Sequence, residues 1–431
     1  MFGPSHPYLQ PVRIEFDLGG AARRDPIGHR LHIFFGLLWC FSLGLPTTAV
    51  EIGAIPLIVY FLLRTPNIWR TWGSCAVQSL SIALACWVCW QAATLFWTPD
   101  LHQGLKELSS NRWLWALPLL WPIMERRRWL IAAMCVGFLC GNLSQVGHEV
   151  GHRLGIAWLT WPRFEDRNSG WWDPVVGGSL LVGALGLHLP AAVMGSGRWR
   201  WVGIAGCVVT LMAIGATGTR GAWLAAAGLV VLGLGVALVR LRPWTRMLAG
   251  LLAAWVALVV VGGALWIVKG DSITRRVDAA KVEIDAAIRR GDYSTDTGAR
   301  VQMAIHALRA IRAHPIRGIG AGGFRSWMSD QVRADGQAPA PSRLHAHAHN
   351  APLQIAATTG MIGLLLAGIV AAVALRGAFS QLGPPGPCSG LGSYAAGPGF
   401  AIIGLLLVGM FDPVQLNAQT AAFLSTLMAL S

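Results

Sequence analysis

The chain is 431 residues long, 54% of them hydrophobic and only 13% charged, with 21 tryptophans and a mean hydropathy of +0.52. That balance excludes a soluble multidomain protein and implies an all-α polytopic membrane protein. The net charge of +14 does not point to nucleic acid, because the arginines are spread from loop to loop rather than gathered in one patch.

Residues 1–30 are polar and rich in Pro and Gly, and form an expected cytoplasmic segment. No cleavable signal is evident; Arg23, Arg24 and Arg30 precede the first apolar run, as in an uncleaved signal anchor. Apolar runs close to the roughly 20 residues that cross a bilayer as a helix then recur near 31–47, 49–64, 75–96, 112–124, 130–150, 175–195, 201–216, 222–240, 245–268, 350–373, 395–411 and 413–430. About twelve spans are expected, nine within 31–268 and three within 350–431.

The arginines orient them. Arg64 and Arg70, Arg126 to Arg128, Arg198 and Arg200, Arg240 to Arg246, and Arg376 follow alternate spans, so the positive-inside rule makes those loops and both ends cytoplasmic. The outer segments are then 97–111, 151–174, the short turn at 215–221, a long stretch at 269–349 and a tight turn at Asp412-Pro413. Arg153, Arg163, Arg167, Arg220, Arg300, Arg317 and Arg343 fall on the outer side, against the bias, and cations in such places mark a ligand path or simply a solvated loop. Arg220 is the most informative, since Thr217-Gly-Thr-Arg220-Gly221 joins two spans with almost no loop and so lies at the interface.

Residues 269–349 read as a folded helical domain. Helical spacing is visible from Ile273 to Arg290 and from Arg300 to Ala313, with Val301, Ala304, Ile305, Leu308 and Ile311 expected on the buried face. A glycine-rich turn, Gly318 to Gly323, follows His314-Pro315. It lacks a preceding strand and a following Gly-Lys-Ser/Thr, which argues against a phosphate-binding loop. The segment ends in His345-Ala-His347-Ala-His349-Asn350, at the mouth of the next apolar helix, where a histidine is a candidate base.

Two further motifs need weighing. His148-Glu149-Val-Gly-His152 matches the zinc-protease pattern, two ligands one helical turn apart with a glutamate base, and would need Glu165 or Asp173 as a third ligand. Placed at the end of a span, the two histidines read more simply as structural. Cys86-Trp-Val-Cys89 has redox spacing but lies mid-span, so core packing is expected there, as for the other six cysteines.

His349-Asn350, followed after nine residues by Gly360-Met-Ile-Gly363, resembles the signature of the O-antigen ligase and polymerase family. Arg300 heading a helix that ends in His314-Pro315, then Gly318-x-Gly320 and Phe324, is similar to its outer-loop pattern. Thr219-Arg220-Gly221 looks like its Ser/Thr-Arg-Gly element, and Gly170 to Pro174 with Gly177 is a weaker match. The chain departs from the pattern at Ala351-Pro352 and at Met303-Ala304-Ile305.

The resemblance implies a GT-C-like glycosyltransferase of the bacterial inner membrane with its active site facing the periplasm. It implies an inverting, metal-independent reaction without cofactor, in which O-antigen passes from undecaprenyl diphosphate to lipid A-core oligosaccharide. His349 would be the base, Arg220 and Arg300 would hold the diphosphate, Arg163 and Arg167 would assist, and Asn350 and His347 would complete the substrate site. A departing diphosphate needs cations and no general acid, and arginine recognises it bidentately. The alternatives are an O-antigen polymerase using the same donor, a zinc membrane protease, and a lipid or glycan transporter.

Overall fold

The computed structural model describes residues 22–156, 170–240, 274, 278–336, 344–382 and 388–431. Among these residues secondary structure is helical, apart from one isolated bridge between Gly195 and Cys388. The reason is the solvent: in lipid every backbone N–H and C=O must be satisfied within its own segment, which a helix achieves.

The first half comprises α1 (Pro26–Ser42), α2 (Thr47–Ile68), α3 (Arg70–Ala76), α4 (Ser79–Ala93), α5 (Leu101–Ser109), α6 (Ala116–Leu120), α7 (Arg127–Leu154), α8 (Pro174–Met194), α9 (Arg198–Thr217) and α10 (Arg220–Arg240). A helical stretch at 278–290 precedes α11 (Asp296–Ala313), α12 (Phe324–Ala334), α13 (Ala351–Ser380), α14 (Gly397–Gly409) and α15 (Ala418–Ala429). Seven helical runs among the described residues are long and apolar enough to cross a membrane. They comprise α2, Ser79–Trp97, a window within Leu101–Leu154, α8, α9, α13 and Gly390–Gly409; the apolar run Arg220–Val236 is shorter. The expected span at 245–268 lies outside the described residues.

The core is centred on α8, 83% of whose apolar window is buried. It packs against α9, α14, α10 and α7 through small residues. A Cβ on Gly186 would collide with the backbone of Ala401, and one on Gly206 with the His188 ring; such close approach substitutes for the hydrophobic drive that lipid does not supply.

Three expectations need correction. The fourth span is not one straight helix: 3-10 turns at Ser110–Trp115 and Trp121–Arg126 flank α6, and Ile123 leaves helical geometry (φ −120°). Pro118 and Pro122 remove backbone donors there. On α11 the buried face is Met303, His306, Ala307 and Ala310, while Leu308 is exposed and Val301, Ala304, Ile305 and Ile311 are only partly buried; the helix turns toward Phe324, Met328 and Ala348. Cys86 and Cys89 are exposed because α4 lies at the edge of the bundle, with only 22% of its window buried.

The two ends of the bundle hold different polar networks. At one end Arg64 Nε donates to Asp25 at 3.0 Å, His29 pairs with Glu125 at 2.6 Å, and Arg127 bonds to the Leu430 and Ala395 carbonyls. The other end gathers the segments that the arginine pattern assigns to the outside: Thr98 Oγ1 donates to Ala321 O at 2.7 Å, and Thr219 Oγ1 to Pro174 O at 2.9 Å.

Candidate active site

The histidine run leads directly into α13. Asn350 is its N-cap: Oδ1 accepts from Leu353 N at 2.9 Å, and Nδ2 donates to Met410 O at 2.8 Å, fastening the start of α13 to the end of α14. One residue earlier, His349 has φ +48°, and it is the non-glycine residue with positive φ among those described. That conformation is costly for a side-chain-bearing residue and persists only when its surroundings enforce it.

His349 Nδ1 lies 3.0 Å from Asp412 Oδ1. An ionised carboxylate only accepts, so Nδ1 carries a proton, and in the neutral ring Nε2 keeps its lone pair. The two side chains are 25% and 18% exposed, shielded but reachable. The His347 ring stands 4.2 Å from that of His349, centre to centre. Burial, helped by the neighbouring His349, lowers the His347 pKa to about 4, so the ring is neutral near pH 7 and contributes hydrogen bonding rather than charge. His345 is lowered too, by burial and then by His349 and Arg325.

A chain of polar contacts holds this loop. Ala348, between the two histidines, is 3% exposed and belongs to a small core with Met303, Ala307, Ala310, Phe324, Met328 and Ala357. Its N–H donates to Gln354 Oε1 at 2.9 Å. Gln354 Nε2 approaches Glu107 Oε1 at 3.5 Å, and Glu107 Oε2 accepts from Gly322 N at 3.0 Å. Elements far apart in the chain thus converge on the backbone of the histidine loop.

The glycine turn has a structural task. At Gly360 (φ +72°) α13 breaks, which frees carbonyls above the break. Ile319 N and Gly320 N donate to Ala357 O and Thr358 O, both at 2.9 Å, and Met361 N returns to Pro315 O at 2.9 Å. A side chain on Gly360 would collide with the Ile316 carbonyl, and one on Gly318 with that of Thr358. These amides are committed to α13 and Glu107, which disposes of a phosphate-loop role.

Arg220 opens α10 and is half-buried. The next residue, Gly221, packs so closely on Phe411 that a Cβ would stand 2.7 Å from the Phe411 Cβ, and Phe411 adjoins Asp412. The backbone of Arg220 is therefore anchored beside the His349–Asp412 pair. Arg300 lies in the first turns of α11, exposed, on the helix whose opposite face packs around Ala348. Arg163, Arg167, Arg343 and Glu165 lie outside the described residues.

Next to the site is an apolar cavity of about 270 Å³. Its walls include Ala351 and Pro352 at the start of α13, Gly409 and Val414 on either side of Asp412, and Trp87 and Leu84 of α4; Glu107, Gln91 and Asn111 form its polar patch.

The His-Glu-x-x-His motif is used differently. His148 is buried with Nδ1 2.7 Å from Ser144 O, and Glu149 is bound to Arg153 one turn on, at 2.9 Å. Asp173 caps α8, accepting from Val175 N at 3.0 Å. Among the described residues no third ligand joins His148 and His152.

Against known proteins, residues 205–368 match the model of the family described as O-antigen ligase. That segment, well under half of the chain, is similar to the O-antigen ligase family. It runs from α9 through the break in α13 and contains Arg220, Arg300, His347, His349 and Asn350. Together with seven helical runs apolar enough to cross a membrane among the described residues, the match is consistent with an all-α multi-pass membrane protein. The chain is also similar to an uncharacterized protein of Haemophilus influenzae, 26% identical over 164 residues, 38% of this chain and 39% of the relative. The match thus spans well under half of either.

Asp412, Glu107 and Gln354 were not singled out as functional by the sequence. A lone acid between two apolar spans is the signal that would have found Asp412. Glu107, on a short amphipathic helix, carries no comparable signal.

Proposed function

We propose that the protein is an O-antigen ligase of the bacterial inner membrane, working at the periplasmic face. It transfers O-antigen glycan from undecaprenyl diphosphate to lipid A-core oligosaccharide, with inversion and without metal. The observation that carries this reading is the His349–Asp412 pair, which leaves Nε2 as a proton acceptor at the mouth of a helix.

The acceptor hydroxyl gives its proton to His349 Nε2 as its oxygen forms the new bond to the anomeric carbon. The bond from that carbon to the diphosphate breaks, and the electron pair leaves with polyprenyl diphosphate. Asp412 holds the imidazole in the required tautomer and stabilises the imidazolium that forms, a role familiar from other His–Asp pairs. Arg220 and Arg300, with Arg163 and Arg167, meet the charge growing on the diphosphate, where forked guanidinium groups act best. Asn350 and His347 orient the substrates, and the apolar cavity beside Ala351 and Gly409 takes part of the donor's isoprenoid chain.

The test is reconstitution of purified protein with polyprenyl-diphosphate glycan and either core-lipid A or a second donor glycan. Extension of core-lipid A is expected. Extension of the second donor alone would make the protein a polymerase, and extension of neither would remove the transferase reading.

A further inference from the structure

Three side chains at the start of α13 have a second chemical capacity. His347, His349 and Asp412 each offer one ligand atom, and these atoms lie within 4.8 Å of one another; no other His, Cys, Asp or Glu group of three comes together so closely among the described residues. His349 Nδ1 and Asp412 Oδ1 stand 3.0 Å apart, near the separation of about 3.3 Å between two donors on a tetrahedral ion with bonds of about 2.0–2.1 Å. The third donor points to the same conclusion on separate grounds. His347 Nδ1 is buried and has no hydrogen-bond partner among the described residues, which is uncommon for a ring nitrogen and costs free energy. A metal ion held between the three would give this nitrogen the partner it lacks, once the ring turns to bring it within bonding distance.

The donor set selects the ion. Two imidazoles and one carboxylate suit zinc, whereas calcium and magnesium prefer oxygen throughout. His345, with its ring 6.1 Å from that of His349, or a water leaves a fourth position to fill.

We propose that His347, His349 and Asp412 form a zinc-binding site whose occupation switches the transferase off. The site itself does not depend on the activity assigned above; the switching does rest on that reading. A zinc ion between His349 and Asp412 bonds to Nδ1, and the ring proton moves from Nδ1 to Nε2. No proton is gained or lost, but the lone pair on Nε2 is used up, so the acceptor hydroxyl has no base. The same bond removes Asp412 from the histidine. The pair is therefore a base when metal-free and inert when loaded.

The test uses full-length protein in detergent, stripped with EDTA, titrated with zinc chloride and desalted, with bound metal measured by elemental analysis; cobalt(II) serves as a spectroscopic probe. One zinc per chain and a visible cobalt band are expected. His347→Gln, His349→Ala and Asp412→Asn should each weaken binding by at least about 100-fold, the upper end of what loss of an outer-shell partner costs, while His148→Ala leaves it unchanged. Each variant is first shown to be monodisperse, and glutamine at 347 retains polarity and approximate volume. In the transfer assay zinc should stop turnover and EDTA restore it, and the turnover left in His347→Gln should need at least about 100-fold more zinc for half inhibition. Absence of saturable binding, or binding unchanged in all three variants, overturns the site. Binding lost in His148→Ala overturns it too, since the metal would then belong to the other motif. Zinc bound as described by a protein that transfers no glycan would uphold the site and defeat the transferase reading instead.

Discussion

His148 and His349 both lie beside apolar helical runs at the same end of the bundle, and both belong to motifs that suggest catalysis, yet the chain spends them in opposite ways. His148 sits inside a regular helix and turns its ring onto the carbonyl one turn back, while Glu149, the base of that motif, is tied to Arg153. His349 sits outside a helix in a conformation unfavourable for a side-chain-bearing residue, and its partner comes from 63 positions away. A motif completed by its own helix is satisfied locally. One that needs a distant carboxylate and a strained backbone is paid for by the rest of the fold, as expected where function requires it.

The contrast can be broken by substitution. The largest effect is expected at His349→Ala, with transfer falling by about a hundredfold or more, the scale of a positioned base, and with expression and monodispersity retained; turnover near the parent's would end the assignment. Next come Arg220→Ala and Arg300→Ala, each lowering turnover or donor affinity. Lysine at either position should rescue poorly, since it offers a point charge without the fork; full activity with both lysines would reduce their role to simple electrostatics.

Asp412→Asn is expected to lower turnover by at least about tenfold with little change in the apparent donor affinity, because the amide leaves the ring in place but no longer fixes its tautomer. A change confined to KM would mean that Asp412 binds substrate rather than positioning the histidine. The smallest effects are expected on the other side of the comparison. Glu149→Gln should be tolerated, and EDTA should leave transfer unchanged. Loss of activity in either experiment would move the chemistry to His148 and His152 and reverse the comparison.

The sequence made the helical class and the location of the candidate base legible for physical reasons. Hydropathy reports lipid-facing helices directly, the arginines report which loops share a side, and the head of α13 concentrates His349 and Asn350 within a few residues. What it concealed is long-range. Asp412 reads as part of a turn until α14 brings it to His349, and Glu107 becomes part of the site only through Gly322 and Gln354. The buried face of α11 differs from the one apolar spacing suggests because the residues it packs on, Phe324, Met328 and Ala348, come from later in the chain. Pro118 and Pro122 were visible in the expected fourth span, but an apolar run alone does not show where such residues divide a helix.

The interruption at Gly360 divides labour along a single helix. Within residues 351–359 the Ala357 and Thr358 carbonyls are engaged by Ile319 and Gly320 and the N-cap Asn350 is engaged by Met410, so this part is braced by segments outside the helix. Residues beyond the interruption are the lipid-facing shaft, with Met361, Leu365 and Ile369 exposed. Tilt or a change in bilayer thickness acts on that shaft, whereas the register of His349 is set by contacts above it; the protein anchors in the bilayer with one part of the helix and keeps time with the other.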